Sequence, residues 1–451
     1  MIEDVLRGAG GLVLLLGIAW LFSTDRRHID WPLVGKGLLI QIFFGTLVIR
    51  GDTLGAWWAP LGWLTHVFEF ISRGFVKLLS FTTEGAQFVV GTLALSPGTE
   101  RSLGFFFVFQ VLPTIIFFAS LLSVLYHLGI MQRVVQLMAW IVQKILGTSG
   151  AESLSATANI FVGQTEAPLL VRPYLNTMTQ SEINTIMVGG FATIAGGVMA
   201  AYVQILGASY AAAHTLSLDA AQVKFAAQLL GASIMAAPAG IVLSKMLVPE
   251  TGSPVTRGHV HLPREKNASN VIEAAAMGAS DGMKLVLNIA AMLLAFIALI
   301  ALGNYLLELV GRIGNFNGWL VAHTGKPLSL QLIFGSVFQF LAVGIGVPWS
   351  DAYSFGTLIG TKIVLNEFVA YLDLSKMIEL GQITSEKTIA MLTFALCGFA
   401  NFASIAIQIG GITPIAPDRQ KDIAALGMRA LLGGVLATLM TATIAGVLFG
   451  V

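Results

Sequence analysis

Asn159-Ile160-Phe161-Val162-Gly163-Gln164-Thr165-Glu166-Ala167-Pro168-Leu169-Leu170 sets an amide, a hydroxyl and a carboxylate in a row inside apolar sequence. A charge at bilayer depth costs at least about 2.5–3.5 kcal/mol on insertion scales, so it is rarely found there without a partner or a task. Gly163 before the polar run and Pro168 after it predict that the helix is broken here. A broken helix with polar groups at mid-membrane marks the binding site of a secondary transporter.

The rest of the chain supplies the membrane. Of 451 residues, 56% are hydrophobic and only 11% are charged, against roughly 25% charged in soluble domains. Several apolar runs can span roughly 30 Å of hydrocarbon as helices. The expected fold is an all-α polytopic membrane protein. A net charge of +1 gives no global field that would point to nucleic acid. Cys397 is the one cysteine, which excludes an internal disulfide and a cysteine-based metal cluster. The apolar run from Gly8 to Ser23 reads as a first span rather than a cleavable signal. It lacks a small-residue cleavage site and is followed by Thr24-Asp25-Arg26-Arg27-His28. The seven His residues are scattered, with His28, His259 and His261 in predicted loops, and no HExxH, P-loop or GxSxG motif is present. The chain is therefore not expected to be an enzyme, nor to drive transport with ATP by itself.

About eight transmembrane helices are expected, at 8–23, 32–50, 103–129, 182–206, 222–247, 283–311, 388–412 and 423–449. Two re-entrant hairpins are placed at 151–180 and 330–372. Interfacial helices are placed at 54–82, which is Trp-rich and interrupted by His66, Glu69, Arg73 and Lys77, and at 131–147, with Arg133 and Lys144. The domain organisation read from this has mainly scaffold helices in 1–130 and a first transport repeat in 131–248. A cytoplasmic loop at 249–270, a further scaffold span in 271–329 and a second transport repeat in 330–451 follow. Loops after odd-numbered spans hold Arg26 and Arg27; Arg133 and Lys144; Arg257, Arg264 and Lys266; and Arg419 and Lys421. The loop Gly207 to Ala220 has no Lys or Arg, so both termini are expected outside, in the periplasm. Arg73, Lys77, Arg101, Lys376 and Lys387 run against this assignment.

The two halves echo one another. Glu166 is followed by Ser181-Glu182 and then Gly190-Phe191-Ala192-Thr193-Ile194-Ala195-Gly196. Glu367 is followed by Ser385-Glu386 and then Gly398-Phe399-Ala400-Asn401-Phe402-Ala403-Ser404. Each half reads as a broken hairpin bearing a Glu, then a span interrupted by polar and small residues. The two hairpins enter from opposite sides, so the repeat is inverted and its interface is expected to hold the substrate near the midplane.

Glu166 and Glu367 are the leading candidates for binding. Each carboxylate either caps a half-helix N-terminus or accepts hydrogen bonds from a polar ligand or titrates with a coupling ion. Gln164 and Thr165 add donors and acceptors beside Glu166. Asn401 and Ser404, three apart, share a helix face and offer an amide and a hydroxyl. Phe399 lies about 200° from Asn401 on a regular helix, so it joins them only where the helix is unwound. Asn159, Thr193 and the carbonyls of Val162 and Ile194 could form a hard-cation site, since unwound backbone supplies oxygen ligands. Lys362 is expected in a structural ion pair, Arg172 to snorkel, and Asp351 to cap a helix N-terminus.

At Gly163-Gln164-Thr165-Glu166-Ala167-Pro168-Leu169-Leu170 the chain resembles the concentrative nucleoside transporter family. The resemblance continues through Gly190 to Gly196, Gly360-Thr361-Lys362, Asn366-Glu367-Phe368 and Gly398 to Ser404. It spans about Ala151 to Gly411, and the size is that of the bacterial eight-helix type. It implies a homotrimer with scaffold and mobile transport domains and elevator-like alternating access. Gln164, Thr165 and Glu166 would then meet the nucleobase. Glu367, Asn401 and Ser404 would meet the ribose, with Phe399 and Val198 lining the pocket. Sodium would be held by Asn159, Thr193 and the carbonyls of Val162 and Ile194. Thr193 stands where some members have Ser. The expected function is sodium-coupled import of nucleosides such as uridine across a bacterial inner membrane. Proton coupling in the same fold, or a carrier of another small polar solute, is the alternative. A passive pore or a membrane enzyme belongs to a different class, and no filter or nucleophile–base set supports either.

Overall fold

The computed structural model describes residues 2–57, 59–95, 101–257 and 268–450. His259, His261, Arg264 and Lys266 lie outside the described residues, as does the middle of the 249–270 loop, at 258–267. Among the described residues the fold is helical throughout, with no strand. Two N-terminal helices, α1 (Ile2–Leu21) and α2 (Trp31–Trp57), precede α3 (Ala59–Val90). A single turn α4 (Phe107–Gln110) leads into α5 (Leu112–His127). The predicted interfacial segment follows as α6 (Ile130–Leu146), set off at each end by a left-handed glycine, Gly129 and Gly147.

The first repeat is then laid down by its own caps. Ser149 and Glu152 form a capping box that starts α7 (Gly150–Ala158). The helix stops at Asn159, and the return limb is not α-helical: Pro168 and Pro173 hold Ala167–Thr177 in 3-10 form. A second capping box, Thr179 with Glu182, starts α8 (Gln180–Ala192). The chain unwinds at Thr193–Ala195 and resumes as α9 (Gly196–His214). The expected span at 182–206 is therefore two half-helices. The buried α10 (Leu218–Leu247) closes the repeat.

The long α11 (Val271–Arg312) and short α12 (Phe316–Thr324) lead to α13 (Leu330–Gly344). The limbs of the second hairpin are α14 (Trp349–Val364) and α15 (Glu367–Glu379), which extend past residue 372. The next span is again broken, into α16 (Glu386–Leu396) and α17 (Phe402–Ile412), before α18 (Gln420–Gly450). Among the described residues seven helical stretches are long and apolar enough to cross a membrane. The α16–α17 span is missing from that set because each half is too short by itself.

Two packing units emerge. In the first, α8, α10, α16 and α18 pack together, with α1 against α18 and α2 against α10. The broken helices cross where Gly398 lies against the backbone of Phe191 and Ala192, and the Phe399 N–H donates to the Thr193 carbonyl at 3.2 Å. The second unit is the pair α5–α11. Gly278 and Gly282 of α11 sit directly on the α5 backbone, while Ser120 and Ser123 donate to the carbonyls of Ala275 and Ala274 at 2.9 and 2.7 Å. The buried residues of α11, from Ala274 through Gly278, Gly282, Val286 and Ile289 to Leu293, form one helical stripe.

Charged side chains pair at both ends of α10, buried near its C-terminus and more exposed near its N-terminus. Near its C-terminus Lys245 reaches Glu152 at 2.7 Å, Glu250 at 3.2 Å and the Ser181 hydroxyl at 3.0 Å, while Ser149 donates to Glu182 at 2.5 Å. Near its N-terminus Lys224 pairs with Glu386 at 2.5 Å.

Candidate functional site

The tips of both hairpins and the breaks of both split helices converge on one cavity of about 170 Å³. All eight residues expected to meet a nucleoside line it: Gln164, Thr165, Glu166, Val198, Glu367, Phe399, Asn401 and Ser404. The opposite wall is apolar and comes from α11, as Leu285, Ile289, Met292, Leu293 and Phe296. The cavity therefore has a polar half carried by one packing unit and an apolar half carried by the other.

Local structure explains each polar group. Glu367 is the first residue of α15, capped by Asn366, so its carboxylate sits at a positive helix end. It is 5% exposed, and both its oxygens have partners: Tyr202 donates to Oε1 at 3.0 Å and the Asn401 Nδ2 donates to Oε2 at 3.1 Å. Asn401 and Ser404 do not sit mid-helix as sequence spacing suggested. Asn401 is the N-cap of α17, and its Oδ1 accepts from the Ser404 N–H at 2.9 Å. Unwinding at 397–401 also turns Phe399 into the cavity, the condition its position required. Gln164 is buried; its Nε2 donates to the Ser404 hydroxyl at 3.3 Å and its Oε1 accepts from Gln408 at 3.1 Å. Glu166 differs from Glu367 in being exposed, and its side chain makes no capping bond to the limb that follows it.

The expected cation ligands lie beside the first tip. Asn159 is fully buried, and its Nδ2 donates to the Ser155 carbonyl at 3.0 Å. Its Oδ1 is buried with no hydrogen-bond partner. Thr193 is buried in the α8–α9 break, and its hydroxyl donates to the Gly189 carbonyl at 2.8 Å. Gly189 packs against the Asn159 amide, and the Gly196 N–H donates to the Phe161 carbonyl at 3.0 Å, so hairpin and break are held together. Among the described residues no backbone N–H reaches the carbonyl of Val162 or Ile194. An orphaned amide oxygen and free carbonyls are neutral hard donors, which fit an alkali cation. Among the described residues no cluster of three or more His, Cys, Asp or Glu could hold a metal, so a transition-metal centre is not indicated.

Three further residues lie outside the cavity, and two of them depart from the sequence expectation. Among the described residues Lys362 makes no ion pair; its ammonium donates to the Ala395 carbonyl at 2.7 Å and to the Thr438 hydroxyl at 3.0 Å. Asp351 is not an N-cap, because Pro348 holds that place; Asp351 accepts from Thr388 at 2.5 Å and so ties α14 to α16. Arg172 is exposed, as snorkelling requires. Tyr202 and Gln408 were missed. Each lies four residues after a site residue, Val198 and Ser404, on the same helix face, and that spacing could have found them.

Two broken helices, two hairpin tips and a cavity between packing units define a secondary transporter's substrate site. Family comparisons agree with that class. The C-terminal model of the Na+ dependent nucleoside transporters matches residues 228–446, the N-terminal model matches 10–93, and a nucleoside recognition gate matches 108–209. The nucleoside permease NupC of Helicobacter pylori is 40% identical over 100% of this chain and 99% of its own. An uncharacterized transporter of Haemophilus influenzae is 44% identical over 99% and 98%. The human sodium/nucleoside cotransporter 1 is 38% identical, covering 96% of this chain and 62% of its own. Among solved structures, CNTnw in an inward-facing substrate-bound state superposes with a TM-score of 0.83 at 40% identity, covering 100% and 99%. The chain belongs to the concentrative nucleoside transporter family, and it is a multi-pass membrane transporter rather than an enzyme.

Proposed function

We propose that this protein imports nucleosides by sodium symport, with elevator-like alternating access, as a homotrimer in a bacterial inner membrane with both termini in the periplasm. The observation that carries the coupling is the buried, partnerless Oδ1 of Asn159. It lies on the same hairpin whose tip presents Gln164, Thr165 and Glu166 to the cavity. A cation held by Asn159, Thr193 and the carbonyls of Val162 and Ile194 would order that tip, so nucleoside binding is favourable only with the cation present. The family description and the human relative's name both carry sodium, which supports this ion over the proton.

In this reading Gln164, Thr165 and Glu166 recognise the base, while Phe399 and Val198 flank it. Glu367, Asn401 and Ser404 take the ribose; a carboxylate accepts from vicinal hydroxyls with charge-assisted strength. The scaffold is the α5–α11 pair. The repeats 131–248 and 330–451 travel past it, apart from α6, which lies between the units. Helices α1 and α2, expected from sequence to be scaffold, pack on α18 and α10 and are assigned to the moving body. The outer face of α11 is apolar and exposed, at Leu287, Leu294 and Leu302 among others, which suits contact with lipid or another copy.

The test is labelled uridine uptake into proteoliposomes, with an inward sodium gradient and with potassium substituted. Concentrative, saturable uptake only with sodium supports the proposal. Uptake that follows an imposed proton gradient and ignores sodium replaces the ion. Uptake of neither uridine nor a purine nucleoside under any gradient overturns the substrate assignment.

A further inference from the structure

The role of Lys362 is not explained by substrate contact, since it does not line the cavity, nor by an ion pair. It is 1% exposed, deep in the second hairpin and five residues before Glu367. The charge of Glu367 acts on this buried ammonium from beyond ion-pair distance, and among the described residues no carboxylate touches it, so other groups must stabilise it at contact. Two helix ends do. Lys362 lies in the last turn of α14, which stops at Val364. Its Nζ meets the carbonyl of Ala395, in the last turn of α16, which stops at Leu396. The last carbonyls of a helix have no partner in their own helix, and they carry its negative dipole charge. Lys362 thus sits where two negative helix ends converge, with the Thr438 hydroxyl of α18 as a further acceptor at 3.0 Å.

The first repeat has the same meeting of ends. There α7 stops at Ala158 and α8 at Ala192, with Asn159 and Thr193 as the residues that follow. Neither last turn contains a basic residue. In its place are the orphaned Oδ1 of Asn159 and the free carbonyls of Val162 and Ile194. The same electrostatic demand is met by a tethered ammonium in one repeat and by donors suited to a dissociable cation in the other.

We propose that Lys362 is the resident cation of the second repeat, a positioning residue that takes the place a dissociable cation takes in the first. It holds the ends of α14 and α16 together, and so fixes the start of α15, where Glu367 faces the cavity. Glu367 is then presented permanently, while the first hairpin tip is ordered only when its cation binds. The comparison with the first repeat rests on the sodium reading above; the role of Lys362 at its own helix ends does not.

The experiment is uridine binding and thermal unfolding of purified Lys362→Ala, alone and with ammonium, methylammonium or tetramethylammonium chloride. Lys362→Met, which keeps the shape but not the charge, is measured in parallel. Loss of affinity by about tenfold or more is expected in both, the scale of a lost charge-assisted hydrogen bond. In Lys362→Ala, methylammonium should recover most of it, tetramethylammonium should not, and the wild type should respond to neither. A folding defect in Lys362→Ala that methylammonium repairs supports the proposal equally. Wild-type affinity in Lys362→Met overturns it. So does a Lys362→Ala protein, folded or not, that no small cation improves. Sodium dependence of the wild type is read in the same series, so a failure of sodium coupling is seen separately from a failure of rescue.

Discussion

Glu367 and Glu166 have the same residue type and lie at matching hairpin positions, yet their surroundings differ. Glu367 is buried with a donor on each oxygen, whereas Glu166 is exposed. In Glu367→Gln the side-chain oxygen can still accept from the Asn401 amide and the NH2 can donate to the Tyr202 oxygen, so the network stays paired but the charged acceptor for the ribose hydroxyls is lost. A lost hydrogen bond to a charged group costs about 1.5–3 kcal/mol. Uridine KM is expected to rise by about tenfold or more at that cost, with expression and unfolding temperature near wild type. The 3′-deoxy analogue should be a poor substrate of the wild type and should lose much less in Glu367→Gln. Equal losses in both proteins would remove Glu367 from the ribose. Tyr202→Phe should weaken uridine binding in the same direction, because it strips a donor from that carboxylate. The six polar cavity residues were legible in the sequence because polar groups at bilayer depth stand out from apolar neighbours, whereas Val198 and the pocket role of Phe399 came from the family resemblance. Tyr202 did not stand out, since it looked like one more residue of a long apolar helix, and Gln408, though polar, lies one turn beyond the motif that ends at Ser404.

Helix breaks are the structural devices at the next scale. The first hairpin was legible from Gly163 and Pro168, but the 3-10 form of its return limb was not, since it depends on two prolines acting together. Nor could spacing show that Asn401 is a cap, because the break shifts the local register. The two broken helices cross at Gly398, where an added Cβ would lie 2.7 Å from the Phe191 carbonyl oxygen and 3.0 Å from the Ala192 carbonyl carbon. Both are backbone atoms held by α8, so they cannot step aside. Gly398→Ala should therefore cost about 1–3 kcal/mol of overpacking and lower uptake with unchanged surface expression. Wild-type uptake in Gly398→Ala would show that the crossing is looser. At the far end of α10, Lys245 holds Glu152, Glu250 and Ser181, and so joins the start of α7 to the start of α8. Lys245→Met would leave Glu152 buried without its counter-charge, at about 3–5 kcal/mol. The variant should unfold in detergent at a clearly lower temperature, and Lys245→Met with Glu152→Gln should recover part of the loss. Additive losses in the double variant would mean that the pair is not coupled.

Over the whole molecule, the division that matters is between the polar and apolar halves of one cavity. Composition and span length point to the membrane class, and the echoed Glu, Ser-Glu and Gly-Phe-Ala motifs to the repeat; none of these could show that the apolar wall comes from α11, whose side chains carry no chemical signal. The wall matters because the polar half must pass it if the substrate is carried by an elevator. Leu293 is the test position: it is 7% exposed, faces the cavity and belongs to the buried stripe of α11. Leu293→Asn adds an amide to this wall. An amide that loses water without gaining a partner costs about 1–3 kcal/mol, and that cost falls on the states in which the moving body covers it. Turnover is then expected to drop by about tenfold, while uridine affinity, measured by calorimetry on the purified protein, changes by less than about threefold. That split separates a sliding surface from a binding surface. If affinity falls as far as turnover does, α11 is part of the recognition site and the moving body must be drawn to include it.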